Sequence, residues 1–71
     1  MILLRLSTVV NDVTVEIEGE ADSLIDIQEV WESFVLSTYQ VEHGSGPSRT
    51  EDLYIHQHEL TKTVNDIIEV L

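Results

Sequence analysis

The chain of 71 residues carries 14 acidic and 3 basic side chains, which gives a formal net charge of −11 at pH 7. This length allows one small domain, residues 1–71, with a marginal core, because such a chain buries only about 60% of its unfolded surface. The absence of cysteine excludes disulfides and thiolate metal sites. No apolar run approaches the roughly 20 residues that a membrane span requires. The charge also argues against direct binding to nucleic acid or to an anionic membrane.

The first eighteen residues have the pattern of a β-hairpin, which we predict over residues 2–18. Asn11 and Asp12 tolerate the positive φ angles that a two-residue turn requires, and apolar and polar residues alternate after them. This turn places Arg5 opposite Glu18 and gathers the apolar side chains on one face. Because Arg5 also interrupts the apolar N-terminal segment and no cleavage site follows, we expect no signal peptide and a cytoplasmic location.

A first helix is predicted over residues 24–41, after a connector at residues 19–21. Asp22 or Ser23 is its expected N-cap, since both residue types accept hydrogen bonds from the first free N–H groups of a helix. Its apolar residues recur at three- and four-residue steps, which is typical of a helix with one buried side. This stripe consists of Leu24, Ile27, Trp31, Phe34, Val35 and Thr38.

A second helix is predicted over residues 51–70, beyond a break at residues 43–48 that contains two of the three glycines and the only proline. Residues 53–56 have an alternative interpretation as a short third strand. The predicted fold is α+β, a β-hairpin followed by two helices (ββαα) that cover its apolar face. Because the first strand, residues 1–10, would expose an unpaired edge and both chain ends are apolar, we expect a homodimer.

The sequence lacks the residue patterns of the common catalytic sites. It has no cysteine nucleophile, no glycine-rich phosphate loop and no nucleophile elbow, so we expect no enzyme and no cofactor. His56, His58 and Glu59 are possible metal ligands, but a helix turns His58 away from the other two. His43 is assigned to the glycine-containing break. We therefore expect surface or partner-facing histidines and no metal site.

Negative charge is concentrated in one part of the chain: residues 12–32 contain eight acids and no Lys or Arg. Alternate glutamates on an extended strand recur every ~6.6 Å, and acids three or four residues apart on a helix recur every ~4.5–6 Å. These spacings are on the scale of the phosphates of DNA. The candidate partner-binding residues are Glu16, Glu18, Glu20, Asp22, Asp26, Glu29 and Glu32.

A second acidic face is expected on the other helix. Arg49 and Lys62 dilute its charge, so we rank it below the first. Its acids are Glu51, Asp52, Glu59, Asp66 and Glu69. Within the first set, Glu18 is the least secure member because the predicted hairpin gives it Arg5 as a neutralising neighbour.

The acid run Glu16-x-Glu18-x-Glu20-x-Asp22, the helix acids that follow it and the hairpin-then-helix layout resemble the small acidic DNA-mimic proteins of bacteriophages. In size and charge the chain is most similar to the phage inhibitors of the bacterial nucleoid protein HU. The resemblance implies a dimeric, non-enzymatic protein that occupies the basic DNA-binding surface of an HU-like host protein in the host cytoplasm. Other phage mimics target restriction enzymes, uracil-DNA glycosylase or RNA polymerase, and the sequence leaves those targets open.

Two other interpretations of the charge stay open. One is a non-catalytic acidic interaction module, such as a small regulator or a toxin-neutralising subunit, that binds by an apolar surface. The other is a general acidic surface, selected for solubility or for life in high salt. The mimic is favoured because a net charge of −11 exceeds the magnitude of roughly 2–8 that keeps a small domain soluble.

Overall fold

A computed structural model describes all residues, 1–71, and has the predicted α+β class. Its three strands form one antiparallel sheet in the order β2-β1-β3, and the helices pack on one face of it. None of the helices combines the length and the apolar character that crossing a membrane would need. The elements are β1 (Ile2–Val10), β2 (Val13–Ala21), α1 (Leu24–His43), α2 (Thr50–Thr61), α3 (Val64–Ile67) and β3 (Ile68–Val70).

The hairpin has the predicted turn and register. Asn11 and Asp12 have φ angles of 50° and 63°, and Arg5 lies opposite Glu18. However, β2 continues to Ala21, so the prediction of a connector at residues 19–21 is wrong. The strand continues because β1 begins at Ile2 and offers backbone partners as far as Ala21.

Helix α1 begins as predicted, since the Ser23 hydroxyl accepts a hydrogen bond from the Asp26 N–H at 3.3 Å. Its central stripe is buried, and Phe34 and Thr38 are completely inaccessible to solvent. Leu24, in contrast, is 83% exposed, so its assignment to the buried stripe is wrong. The 12 residues of α2 span about 18 Å and the 20 residues of α1 about 30 Å, so α2 is too short to cover all of α1.

The C-terminal region differs most from the prediction. Residues 53–56 are helical, but the helix ends at Thr61 instead of continuing to residue 70. The low helix propensity of Thr61 and Thr63 favours a break in the helix here. A turn at residues 62–63 leads into the short helix α3, and β3 then pairs antiparallel with β1. Strand β1 is therefore the central strand, and β3 covers the predicted unpaired edge at Leu4–Leu6, while residues 7–10 have no strand partner on that side.

Candidate functional site

The face of the sheet turned away from the helices carries one cation among three glutamates. The Arg5 guanidinium lies 3.2 Å from Glu16, 3.0 Å from Glu18 and 3.4 Å from Glu69. These four residues are called the sheet-face cluster below. The pKa of Arg5 is raised above its ordinary value, chiefly by the hydrogen bond to Glu18. The glutamates of this cluster are therefore neutralised in part by a shared, permanently charged neighbour.

A second group of acids lies where β2 leads into α1 and along the first turns of that helix. The Asp22 backbone N–H donates a hydrogen bond of 3.0 Å to the Asp26 carboxylate, which connects the two acids across the start of α1. The N-terminal ammonium lies 3.7 Å from Asp22. We call this group the junction acids; its members are Glu20, Asp22, Asp26, Glu29 and Glu32.

No Lys or Arg side chain forms an ion pair with the junction acids, because all three pair elsewhere. Arg49 lies 3.0 Å from Asp52, and Lys62 lies 3.2 Å from Glu59. The hydrogen bond to Asp52 raises the pKa of Arg49. Asp52 and Glu59 of the second acidic face are thus partly neutralised, but the prediction of one face on the second helix is wrong, because Asp66 lies on α3 and Glu69 lies on β3 beside Arg5. The junction acids are the least compensated group in the molecule.

The seven acids predicted to bind a partner do not share one face. Val15 and Ile17 of β2 contact the core beneath the helices, so the alternating Glu16, Glu18 and Glu20 point to the opposite, uncovered face of the sheet. The acids of α1 lie on the helical side. The two groups come nearest along the chain at Glu20, near the end of β2, and Asp22. The sequence could not reveal that Glu16 also contacts Arg5, since the predicted cross-strand partner of Glu16 is Ser7.

Two histidines and a glutamate meet at the other end of α1. Glu42, His43 and His56 each place one potential ligand atom within 4.8 Å of the others. His43 lies in the last turn of α1, so its assignment to the following loop is wrong. His58 and Glu59, which the sequence suggested as partners of His56, lie outside this group. No spacing rule could have predicted the cluster, because His43 and His56 belong to different helices and meet only through the packing of α1 on α2.

His56 is the anchored member of this histidine cluster. Only 9% of its side chain is exposed; its Nε2 lies 2.8 Å from the Thr38 Oγ1 and its Nδ1 lies 3.2 Å from the Glu42 carboxylate. The Tyr39 ring meets it edge-on at 5.4 Å between centroids. Burial lowers the pKa of His56, although the neighbouring Glu42 opposes the shift. His56 is therefore biased toward the neutral form, in which imidazole can act as a ligand.

The cluster opens into a cavity of about 290 Å³, which Asp52 and Glu59 also line. These two carboxylates are engaged by Arg49 and Lys62 respectively. Five of its seven lining residues carry a carboxylate or an imidazole, and Tyr39 and Ile55 supply the apolar part of its wall.

A larger groove of about 380 Å³ lies near the first turns of α1, and eight of its nine lining residues are hydrophobic. No acidic or basic residue lines it. Several of its rim residues are exposed, including Ile2 and Val70. The lining residues are Ile2, Leu4, Leu6, Ile27, Trp31, Thr61, Val64, Ile68 and Val70.

No protein-family model, curated protein or solved structure matches the chain. Function is therefore inferred from the residues and their geometry.

Proposed function

We propose that this protein is a DNA mimic that binds the basic DNA-binding surface of another protein and competes with DNA for it. The observation that carries the proposal is the charge of the junction acids, which no Lys or Arg side chain neutralises because each of the three pairs elsewhere. The target suggested by the resemblance is HU, in the cytoplasm of a bacterial host. The protein acts in this proposal by occupation of a surface and not by catalysis.

The spacing of the junction acids supports this role. Asp26, Glu29 and Glu32 follow at three-residue steps, so each advances about 4.5 Å along the axis of α1. A folded helix holds these positions without the loss of chain entropy that a flexible acidic tail would incur on binding. A basic protein surface that binds a row of phosphates would meet a row of carboxylates at a similar scale. Such an interaction gains most from steering, which accelerates association and weakens in salt.

A fluorescence assay with purified HU and a labelled DNA duplex tests the proposal. We expect the protein to displace the duplex, and its affinity for HU to fall steeply between about 50 and 200 mM salt, as it does for DNA itself. A second arm with uracil-DNA glycosylase asks whether another basic DNA-binding protein is the better target. Failure to displace DNA from either protein, with the chain folded by circular dichroism, would contradict the mimic.

We further propose that the protein is a homodimer whose copies meet at the apolar groove. Two copies that each carry a charge of −11 repel one another. The repulsion is weakest when they meet through a surface without acids, and the lining of the groove has none. The exposed Ile2 and Val70 at its rim would then be covered. Light scattering at tens of micromolar protein is the measurement, and a monomeric mass would contradict the dimer. Val70→Asp should give monomers, while Ile55→Asp, at an exposed apolar site away from the groove, should not.

The same groove favours a second candidate function, an interaction module that binds a partner through apolar contacts. The two candidates differ in their response to salt, because apolar contacts are scarcely screened. A monomeric chain whose binding to a protein is insensitive to salt, and is lost in Val70→Asp, would support the module in place of the mimic.

A further inference from the structure

We propose that Glu42, His43 and His56 form a binding site for a divalent transition metal ion of the zinc class, with one coordination position open. The ligands would be the Nε2 of His43, the Nδ1 of His56 and a carboxylate oxygen of Glu42. The site is separate from the junction acids and does not depend on the proposed mimicry. Three observations favour it: the hydrogen bond that orients the His56 ring, the distances between the donor atoms, and the chemical identity of the donors.

The ring of His56 is supported on the side away from the proposed metal. The Thr38 hydroxyl donates to the Val35 carbonyl at 2.9 Å, which leaves its oxygen free to accept a hydrogen bond from the His56 Nε2–H. In that tautomer the lone pair of Nδ1 faces the Glu42 carboxylate across 3.2 Å, so the two acceptors need either a proton or a metal ion between them. Metal-bound histidines usually donate their second N–H in this way, which fixes the tautomer and the orientation of the ring.

The distances between the donor atoms allow a metal after a small contraction. Ligands bound at about 2.0–2.1 Å in a tetrahedral site lie about 3.4 Å from one another. The Glu42 oxygen is 3.2 Å from His56 Nδ1 and 3.9 Å from His43 Nε2, and the widest separation in the group is below 4.8 Å. His56 is held by its burial, whereas Glu42 and His43 are about half exposed and are free to move inward.

The identity of the donors selects the ion. Two imidazoles and a carboxylate suit zinc, cobalt or nickel, while magnesium and calcium prefer oxygen ligands alone. Three protein ligands leave a fourth position for water or for a donor from another molecule, whereas structural zinc sites are closed by four protein ligands. The position opens to the cavity of about 290 Å³, where solvent can reach it.

Calorimetric titration of the full chain with zinc chloride tests the site, with His58→Gln as the matched control. His58 lies on the same helix, is exposed and is outside the cluster, so this variant removes one histidine without removing a ligand. We expect one zinc per chain in the wild type and in His58→Gln, and at least tenfold weaker binding in His43→Gln and Glu42→Gln. Both of those residues are exposed, so these variants should stay folded. Magnesium chloride should give no binding at this site.

Nitrogen-detected NMR of the histidine rings provides a measurement that does not depend on variants. Zinc should shift the Nδ1 of His56 and the Nε2 of His43, and leave the ring of His58 unchanged. Equal weakening in His58→Gln, or zinc shifts spread over His58 and the surface carboxylates, would show an adventitious ion only and overturn the proposal. The absence of zinc binding would overturn it as well, and would leave the DNA-displacement result unaffected.

Discussion

The sheet-face cluster and the junction acids arise from neighbouring stretches of the same acidic segment, and they differ in their compensation. On the sheet face, Arg5 contacts Glu16, Glu18 and Glu69 at 3.0–3.4 Å. Two residues beyond Glu18 the junction acids begin, and the nearest positive group is the N-terminal ammonium beside Asp22. The fold, and not the count of acids, therefore decides which acids have a cationic neighbour.

The two regions also differ in their neighbours. The sheet-face cluster lies on pleated backbone in which β1 supplies the residues opposite the acids of β2 and β3. The junction acids lie beside exposed apolar side chains, since Leu24 and Ile25 are 83% and 68% exposed. Protein interfaces commonly join a desolvated apolar centre to a polar rim. The junction region therefore has both parts of an interface.

The largest effect is expected when four junction acids lose their charge together, in Glu20→Gln, Asp22→Asn, Glu29→Gln and Glu32→Gln. Asp26 is kept because its carboxylate accepts the Asp22 N–H. An exposed ion pair contributes about 0.2–1 kcal/mol, so the four should together weaken binding to HU roughly 100-fold, or about 2.7 kcal/mol. Competition with labelled DNA at low salt measures the change.

The control for this variant removes the same number of charges elsewhere. Asp12→Asn, Glu51→Gln, Asp66→Asn and Glu69→Gln also bring the net charge from −11 to −7. Equal losses of affinity in the two variants would mean that only total charge matters, and the proposed site would be wrong.

Gly19→Ala should weaken the attachment of α1 to β2 on which the position of the junction acids depends. A Cβ at residue 19 would lie 2.7 Å from a methyl group of Val30, well inside contact distance. Overpacking of this kind typically costs about 1–3 kcal/mol. Urea denaturation measures the free energy of unfolding, and Gly46→Ala is the control, because its added methyl would be 3.9 Å from the nearest atom. Equal stability of the two variants would mean that α1 shifts freely on the sheet.

Local patterns predicted the parts of the fold that depend on adjacent residues. The turn at Asn11 and Asp12, the hairpin register and the start of α1 follow from chain-local rules, and all three are confirmed. The prediction of a connector at residues 19–21 was wrong because a glycine in a sequence usually indicates a break, whereas Gly19 here permits the close approach of Val30. That contact joins distant parts of the chain and leaves no local signal.

The C-terminal strand escaped prediction for a similar reason. Apolar residues at steps of three and four continue through Ile67, so periodicity favoured helix, yet pairing with β1 determines the structure of Ile68–Val70. For the candidate site, the acidic segment was evident from composition, but its division between two faces follows from the register and the packing of α1. The histidine cluster depends on the contact between α1 and α2, which the sequence does not encode at any fixed spacing.

Ser23→Ala should loosen the first turn of α1, where the junction region begins. The Ser23 hydroxyl accepts the Asp26 N–H, and loss of such a cap typically costs about 1 kcal/mol. We expect lower stability in urea and faster hydrogen exchange in the first turn, with a smaller loss of HU affinity than in the fourfold variant. Ser33→Ala, an exposed serine in the middle of α1, should change little. If the backbone amides of the first turn exchange no faster in Ser23→Ala than in the wild type, the cap does not stabilise this turn.

The smallest expected effect comes from the removal of Arg5, the cation that neutralises the sheet-face cluster and has no counterpart among the junction acids. Arg5→Gln removes the positive charge from the sheet-face cluster and leaves Glu16, Glu18 and Glu69 uncompensated, so the sheet face should become as negative as the junction. Affinity for HU should then rise a few-fold at low salt, because a second group of carboxylates becomes available to a basic surface.

Arg49→Gln is the matched control: it gives the same net charge of −12, but it uncovers Asp52 on the second helix. A rise in Arg5→Gln alone would show that the sheet face adjoins the bound surface at Glu20, whereas equal rises would assign the gain to net charge. A fall in affinity in Arg5→Gln would contradict the neutralising role, because it would mean that mutual repulsion of the freed glutamates disturbs the sheet more than their charge attracts HU.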